Sequence, residues 1–153
     1  MRWILIDRFV EMKKNEYAKA IKNVTMGEDH IHHQFPSYPI MPNSLIIESM
    51  AQTGGILAGH SLDYKRQIFL AKIQKAVFKK IVRPGDQMVL EAWIDDLRDE
   101  GCRVTASTTV DGEKAAEADI MFVGIKNPNG EGTKNDNEFI FGRELLSVLN
   151  LKV

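Results

Sequence analysis

The chain has little with which to staple or anchor itself. A single cysteine, Cys102, stands among 153 residues, which excludes an intramolecular disulfide and fits a reducing compartment. Net charge is almost absent: 20 Lys and Arg against 21 Asp and Glu leave −1. Such a chain casts no global field, so a charged partner must be held by a local patch, and no nucleic-acid partner is expected. No apolar run approaches the roughly 18 residues of a membrane helix. The opening Met1-Arg-Trp-Ile-Leu-Ile-Asp7 has only four consecutive apolar residues before Asp7 and Arg8, too few for a secretory signal. The expectation is a cytoplasmic protein with no membrane insertion. Internal repeats and low-complexity tracts are missing too. What remains, 44% hydrophobic and 27% charged residues, is ordinary for a globular chain long enough to bury a core without metal or disulfides.

Periodicity divides the chain. Residues Phe9 to Met12 and Ala18 to Val24 read as strands around the polar Lys13-Lys14-Asn15-Glu16 turn. From Gly27 to Asn43 lie three of the four histidines, and Pro36, Pro39 and Pro42 recur every third residue. Such prolines forbid helix and inner strand, so a stiff extended loop is predicted. Asn43-Ser44 then reads as an N-cap for a helix over Leu45 to Gly59. That helix is apolar on nearly every face, with Glu48 and Gln52 its only long polar side chains, and is predicted to be buried all round. Its Gly54, Gly55, Ala58 and Gly59 point to close backbone approach. Four β-rich runs follow: Ile68 to Ile81, Gln87 to Leu97, Arg103 to Val110 and Ala115 to Ile125. Turns at Arg83–Asp86, Asp99–Gly101 and Asp111–Glu113 predict an antiparallel meander. Lys126 to Glu138 is polar and reads as linker or loop, and Gly142 to Leu149 as a short C-terminal helix.

The chemistry-bearing segment is His33-Gln-Phe-Pro-Ser-Tyr-Pro-Ile-Met-Pro-Asn-Ser-Leu-Ile-Ile-Glu-Ser-Met-Ala-Gln52. It resembles the signature of the bacterial 3-hydroxyacyl-[acyl-carrier-protein] dehydratases, His-Phe-Pro-Gly-x-Pro-x-x-Pro-Gly-x-Leu-x-x-Glu-x-x-x-Gln. Phe35, Pro36, Pro39, Pro42, Leu45, Glu48 and Gln52 fall in register. Leu5-Ile-Asp-Arg8, Lys75-Ala-x-Phe78 and Arg83-Pro-Gly-Asp-Gln87 look like further family segments. The resemblance covers about residues 1–125, read as one catalytic domain, with 126–153 as a linker and short helix packed on it. It implies an α+β hot-dog fold, a curved antiparallel sheet wrapped around one long buried helix. It also implies no cofactor, an acyl-carrier-protein partner, and a homodimer that leaves assembly into a hexamer open.

Removing water from a 3-hydroxyacyl thioester needs a base for the C2 proton, an acid for the departing hydroxyl and stabilisation of the thioester oxygen. By resemblance Glu48 is the acid; on an apolar helix within a sheet its carboxyl is expected to be desolvated and kept protonated. Gln52, one turn on, can hydrogen-bond it. The N–H at Asn43, where the family has Gly, lies at a helix N-terminus, where dipole and free amides suit an oxyanion. The base is the departure. The family's His immediately precedes Phe-Pro, and that position is Gln34, with His33 and His32 just before it. Three readings stay open: a one-residue bulge brings in His33, His32 serves, or the base is lost. The first is adopted, with His32 and Gln34 as substrate contacts. Ser37 also replaces a family Gly and tightens the loop.

Other features have plainer readings. His30-x-His32-His33 could suggest metal, but no acidic ligand is spaced for it, so none is expected. His60 reads as a residue beside the helix C-terminal dipole. Lys65, Arg66, Lys72, Lys75, Lys79, Lys80 and Arg83 form either a solvated face or a dock for an acidic carrier protein. The function implied is dehydration of (3R)-hydroxyacyl thioesters to trans-2-enoyl thioesters in fatty-acid or related acyl synthesis. The rivals are a hot-dog acyl thioesterase and a non-catalytic acyl-binding or scaffold homologue.

Overall fold

A computed structural model describes residues 4–126 and 143–151. The chain forms β1 (Arg8–Lys13), β2 (Tyr17–Asn23), α1 (Asp29–Gln34), α2 (Asn43–Ser61), β3 (Arg66–Phe78), β4 (Gln87–Arg98), β5 (Gly101–Val110), β6 (Glu113–Lys126) and α3 (Arg143–Val148). The strands make one six-stranded sheet in the order β1-β2-β4-β5-β6-β3, and all its pairings are antiparallel. Helix α2 packs across β2 to β6. This is the sheet-and-helix arrangement expected of a hot-dog fold.

Period-two alternation sets which face meets the helix. Met88, Leu90 and Ala92 of β4, Val104 and Ala106 of β5, and Ala116, Ala118, Ile120 and Phe122 of β6 are buried. Alanine recurs on this inner face because α2 lies close above it. A Cβ added at Gly54 would stand 3.0 Å from Val104 Cγ1 and 3.3 Å from Phe122 Cε2. The glycines that weaken helix propensity therefore admit the sheet's side chains. At the β5–β6 turn Asp111 and Gly112 take φ of 53° and 77°, the paired positive angles of a tight hairpin that Asp-Gly favours.

Three expectations are corrected. The four long strands are not a simple meander: β4, β5 and β6 are consecutive neighbours, but β3 pairs with β6 and β4 with β2. The Arg83–Asp86 turn is accordingly no hairpin. It sits at the end of β2, where Gly85 N–H donates to Val24 O and Val24 N–H to Asp86 O. The residues from 79 to 86 thus cross from one sheet edge to the middle. Secondly, the Gly27–Asn43 stretch is not extended throughout, because residues 29–34 form α1. Proline forbids helix at and just before itself, and the first proline is Pro36. Phe35 leaves the helix at φ −137°, ψ 77°, as a residue before proline should. Thirdly, Asn43 is the first helical residue of α2 and Pro42 its N-cap, without a side-chain cap.

Residues 127–142 and 152–153, which include nearly all of the predicted polar linker, lie outside the described residues. Leu146, Leu149 and Leu151 are buried in the same core as the sheet, and Phe9 N–H donates to Leu149 O. Among the described residues no helix is long and apolar enough to cross a membrane.

Candidate active site

Glu48 and Gln52 lie one turn apart on α2, and their environments differ sharply. Gln52 is buried, and its Oε1 accepts the Leu5 backbone N–H at 2.8 Å. That bond fixes the flip of the amide, because the oxygen is committed to Leu5 and the NH2 must face the other way. Gln52 Nε2 then donates to Glu48 Oε1 at 3.0 Å. The relay orients Glu48, leaving its Oε2 outside the bond. Glu48 itself is exposed, as are Asn43 and Ser44. The expected all-round burial of α2 therefore fails in its first two turns, where Asn43, Ser44 and Glu48 are exposed.

Below Glu48 an open cleft of roughly 730 Å³, partly open to solvent, runs between α2 and β3. Gly55 and Gly59 form its helical wall, Phe69 and Leu70 its strand wall, and Phe122 and Tyr64 also line it. Apart from Glu48, Gln52, Gln67 and the Tyr64 hydroxyl, the lining is apolar. An acid group at the mouth of an apolar slot suits a ligand with a polar head and an alkyl tail.

At the start of α2, hydrogen bonding begins with Leu45 and Ile46 N–H, both donating to Pro42 O. Helical geometry gives the N–H groups of Asn43 and Ser44 no carbonyl behind them, so they point outward with the positive end of the helix dipole.

His32, His33 and Gln34 all sit on α1, are exposed, and do not line the cleft of their own chain. Ile31 is the buried residue of this short helix. At 100° per residue His33 projects almost opposite to Ile31, away from the fold, while Gln34 leans back toward it. In place of the expected bulge there is a helical turn, on which His32, His33 and Gln34 are all exposed. His33 Nδ1 lies 2.6 Å from Asp29 O. A carbonyl can only accept, so Nδ1 carries the hydrogen, and in the neutral ring Nε2 then has the lone pair.

Sequence reasoning missed what holds α1. The buried Lys22 ammonium donates to Asn23 O at 2.7 Å and to Glu28 Oε1 at 2.9 Å, and lies 3.8 Å from Asp7. Glu28 also accepts Thr25 N–H at 3.0 Å, and its other oxygen is 3.2 Å from His30 Nε2. Burial lowers the His30 pKa, against the opposing pull of Glu28. The His cluster is therefore divided, with His30 turned into this network and His32 and His33 outward. Among the described residues no group of His, Cys, Asp and Glu is arranged to hold a metal. Arg83 donates to the Tyr38 hydroxyl at 2.7 Å and lies over its ring, clamping the proline loop. Of the other cations, Lys75, Lys79 and Lys114 share Glu117, Lys80 pairs with Glu113, and Arg66 with Asp99. His60, in the last turn of α2, has its pKa lowered chiefly by burial. Cys102 is buried, and desolvation pushes its thiol up to about 12.

Residues 2–119 match the FabA-like domain family. The 3-hydroxyacyl-[acyl-carrier-protein] dehydratase FabZ of Caldanaerobacter subterraneus subsp. tengcongensis is 42% identical over 122 residues, covering 79% of this chain and 86% of that protein. The bifunctional enzyme LpxC/FabZ of Chlorobaculum tepidum is 42% identical over 129 residues, but the chain spans only 28% of that longer protein. Among solved structures, the dehydratase heterocomplex ApeI:P from Xenorhabdus doucetiae superposes with a TM-score of 0.69 at 12% identity, over 83% of this chain and 86% of that one. With a family match over most of its length and the fold to go with it, the chain belongs to the FabA-like family of hot-dog proteins.

Proposed function

We propose that this protein dehydrates (3R)-hydroxyacyl thioesters to trans-2-enoyl thioesters, on an acyl carrier protein, in fatty-acid or related acyl synthesis. The observation that carries the reading is the Leu5–Gln52–Glu48 relay at the mouth of an apolar cleft. It supports an acid with one oxygen held and the other aimed at substrate. In this mechanism His33 Nε2 removes the C2 proton, and Glu48 Oε2 protonates the departing 3-hydroxyl. The outward N–H groups of Asn43 and Ser44 stabilise the charge on the thioester oxygen. His32 and Gln34 border the substrate.

No histidine of the same chain lines the cleft, so the reading requires a second copy whose α1 supplies His33 to this Glu48. Edge strand β3 supports such a homodimer. It is 13 residues long, with Phe69, Leu70 and Ile73 each more than a third exposed, and an edge of that kind invites a partner strand. Covering it would also desolvate Glu48 and favour the protonated form that a proton donor needs. The apolar outer side of β6, Met121, Val123 and Ile125, is the surface on which three such dimers would make a hexamer. We place the enzyme in the cytoplasm and take residues 126–153 as part of the same domain, on the strength of the buried leucines after α3.

One observation favours a second reading. Gln34 occupies the position where the family signature has its base, as in a non-catalytic acyl-binding homologue. A single assay separates the readings: purified protein with a 3-hydroxyacyl thioester, following enoyl absorbance and free thiol together. Dehydration gives the first signal alone and a hot-dog thioesterase the second alone. A silent protein that Gln34→His revives by ~100-fold or more is the relic.

A further inference from the structure

At its Gly59 end the cleft is lined by Tyr64 and Ile68. Helix α2 ends at Ser61, and the following turn folds back so that Tyr64 N–H donates to Gly59 O at 2.8 Å. A Cβ at Gly59 would stand 3.3 Å from Tyr64 Cδ1 and 3.4 Å from Cε1, so one edge of the ring packs against the helix where a side chain would otherwise be. His60 meets the same ring edge-on at 5.9 Å between centroids. Burial pushes the Tyr64 hydroxyl up to about 12. The ring is thus fixed at the end of the cleft remote from Glu48.

We infer that Tyr64 sets the maximum length of the acyl chain this site accepts, as a specificity-determining residue. The inference rests on the proposed acyl-thioester reading. From Glu48 to Gly59 the helix rises about 16 Å, and after the thickness of the ring is subtracted this leaves room for an acyl chain of about twelve carbons in all. The wall along that path includes Gly55 and Gly59 on the helix and Leu70 on β3, with Gln52 and Gln67 as its polar side chains. The Gln52 amide is already committed to Leu5 and Glu48, so an alkyl tail meets a mostly apolar surface. Longer chains must displace the Tyr64 ring from its packing against Gly59 and His60.

Saturated acyl-pantetheine thioesters of six to sixteen carbons, which carry no hydroxyl to eliminate, test the inference by calorimetry on the full chain. In the wild type each added methylene tightens binding by roughly fourfold while it is being buried, and the gain stops near twelve carbons. Tyr64 has φ 52°, a backbone conformation glycine adopts freely, so Tyr64→Gly removes the ring without straining the turn and moves the limit to sixteen carbons. Tyr64→Phe keeps the limit where it was. A wild type that binds sixteen carbons more tightly than twelve, or a limit unmoved in Tyr64→Gly, overturns the inference. If binding shows the step and Tyr64→Gly shifts it but no 3-hydroxyacyl thioester is dehydrated, the ruler stands and the catalytic reading falls. No binding at any length sinks both.

Discussion

Replacing Gln52 with leucine probes the relay at both ends. The side chains are similar in size, so the buried volume beneath Glu48 is largely kept. What disappears is the acceptor for Leu5 N–H, a bond of 2.8 Å in the protein interior, and the donor to Glu48 Oε1 at 3.0 Å. An orphaned buried N–H costs about 1–3 kcal/mol, the range for an unsatisfied backbone donor. The bond to the exposed Glu48 adds little to stability, but without it the carboxyl is free to turn. Gln52→Leu should therefore melt lower by about 2–4 °C for each kcal/mol lost. Its kcat should fall by ~10-fold with KM nearly unchanged, the pattern of a lost transition-state alignment. Gln52→Glu separates the two effects. Its carboxylate still accepts from Leu5, so most stability returns, while the amide donor that held Glu48 Oε1 is gone and the rate stays low. Thermal unfolding at fixed protein concentration and steady-state kinetics on one thioester read both. A Gln52→Leu protein that melts with the wild type and turns over at its rate would refute the relay.

Glu48→Gln should fold normally and lose at least ~100-fold in dehydration, since an amide cannot protonate the leaving hydroxyl; retained activity removes Glu48 from the mechanism. Gly54→Val should destabilise by about 1–3 kcal/mol through overpacking against Val104 and Phe122, read by denaturant unfolding. His30 and His60 both have folded pKa values lowered chiefly by burial, so the unfolded chain binds their protons more readily. Their share of stability is present above the unfolded pKa of about 6.5 and is lost as pH falls through it toward the lowered folded values. The melting temperature should drop over that window, and His30→Asn should flatten the drop. Charge reversal at Lys79 and Lys80 should slow turnover of carrier-borne substrate and spare small thioesters, because steering acts on association; equal loss with both substrates argues against a carrier dock. Arg83 is left out because it holds Tyr38.

Much of this was legible in the chain, and the misses have physical causes. The β-rich runs over β4 to β6 and the apolar run of α2 announced the sheet and its helix, and the proline-spaced motif announced Glu48 and Gln52. Hydrophobic period, however, reports which face is buried and not which strand is the neighbour. The crossing from β3 to β4 was accordingly invisible, and the Arg83–Asp86 turn looked like a hairpin. Helix α1 was missed because proline spacing was extended backward over Asp29–Gln34, where no proline stands. The brace on Gln52 comes from a backbone N–H 47 residues away, a donor that every non-proline residue has and no sequence pattern marks. Tyr64 escaped notice for a similar reason, since its place at the cleft floor depends on a turn with positive φ at both Asp63 and Tyr64. Glu48, read as buried because its helix is apolar, is exposed, since an apolar run does not tell which turns of a helix the sheet covers.

The shared site is the central claim, and mixing inactive variants tests it most directly. Glu48→Gln and His33→Ala are each purified as inactive homodimers, then combined in equal amounts under conditions where tagged subunits are seen to exchange. If His33 of one chain serves Glu48 of the other, each mixed dimer regains one intact site of its two. Half the dimers are then mixed, and dehydration recovers to about one quarter of wild type by the two-fold symmetry of the pair. Proven exchange with no recovered activity, or a His33→Ala homodimer as active as wild type, would contradict the account.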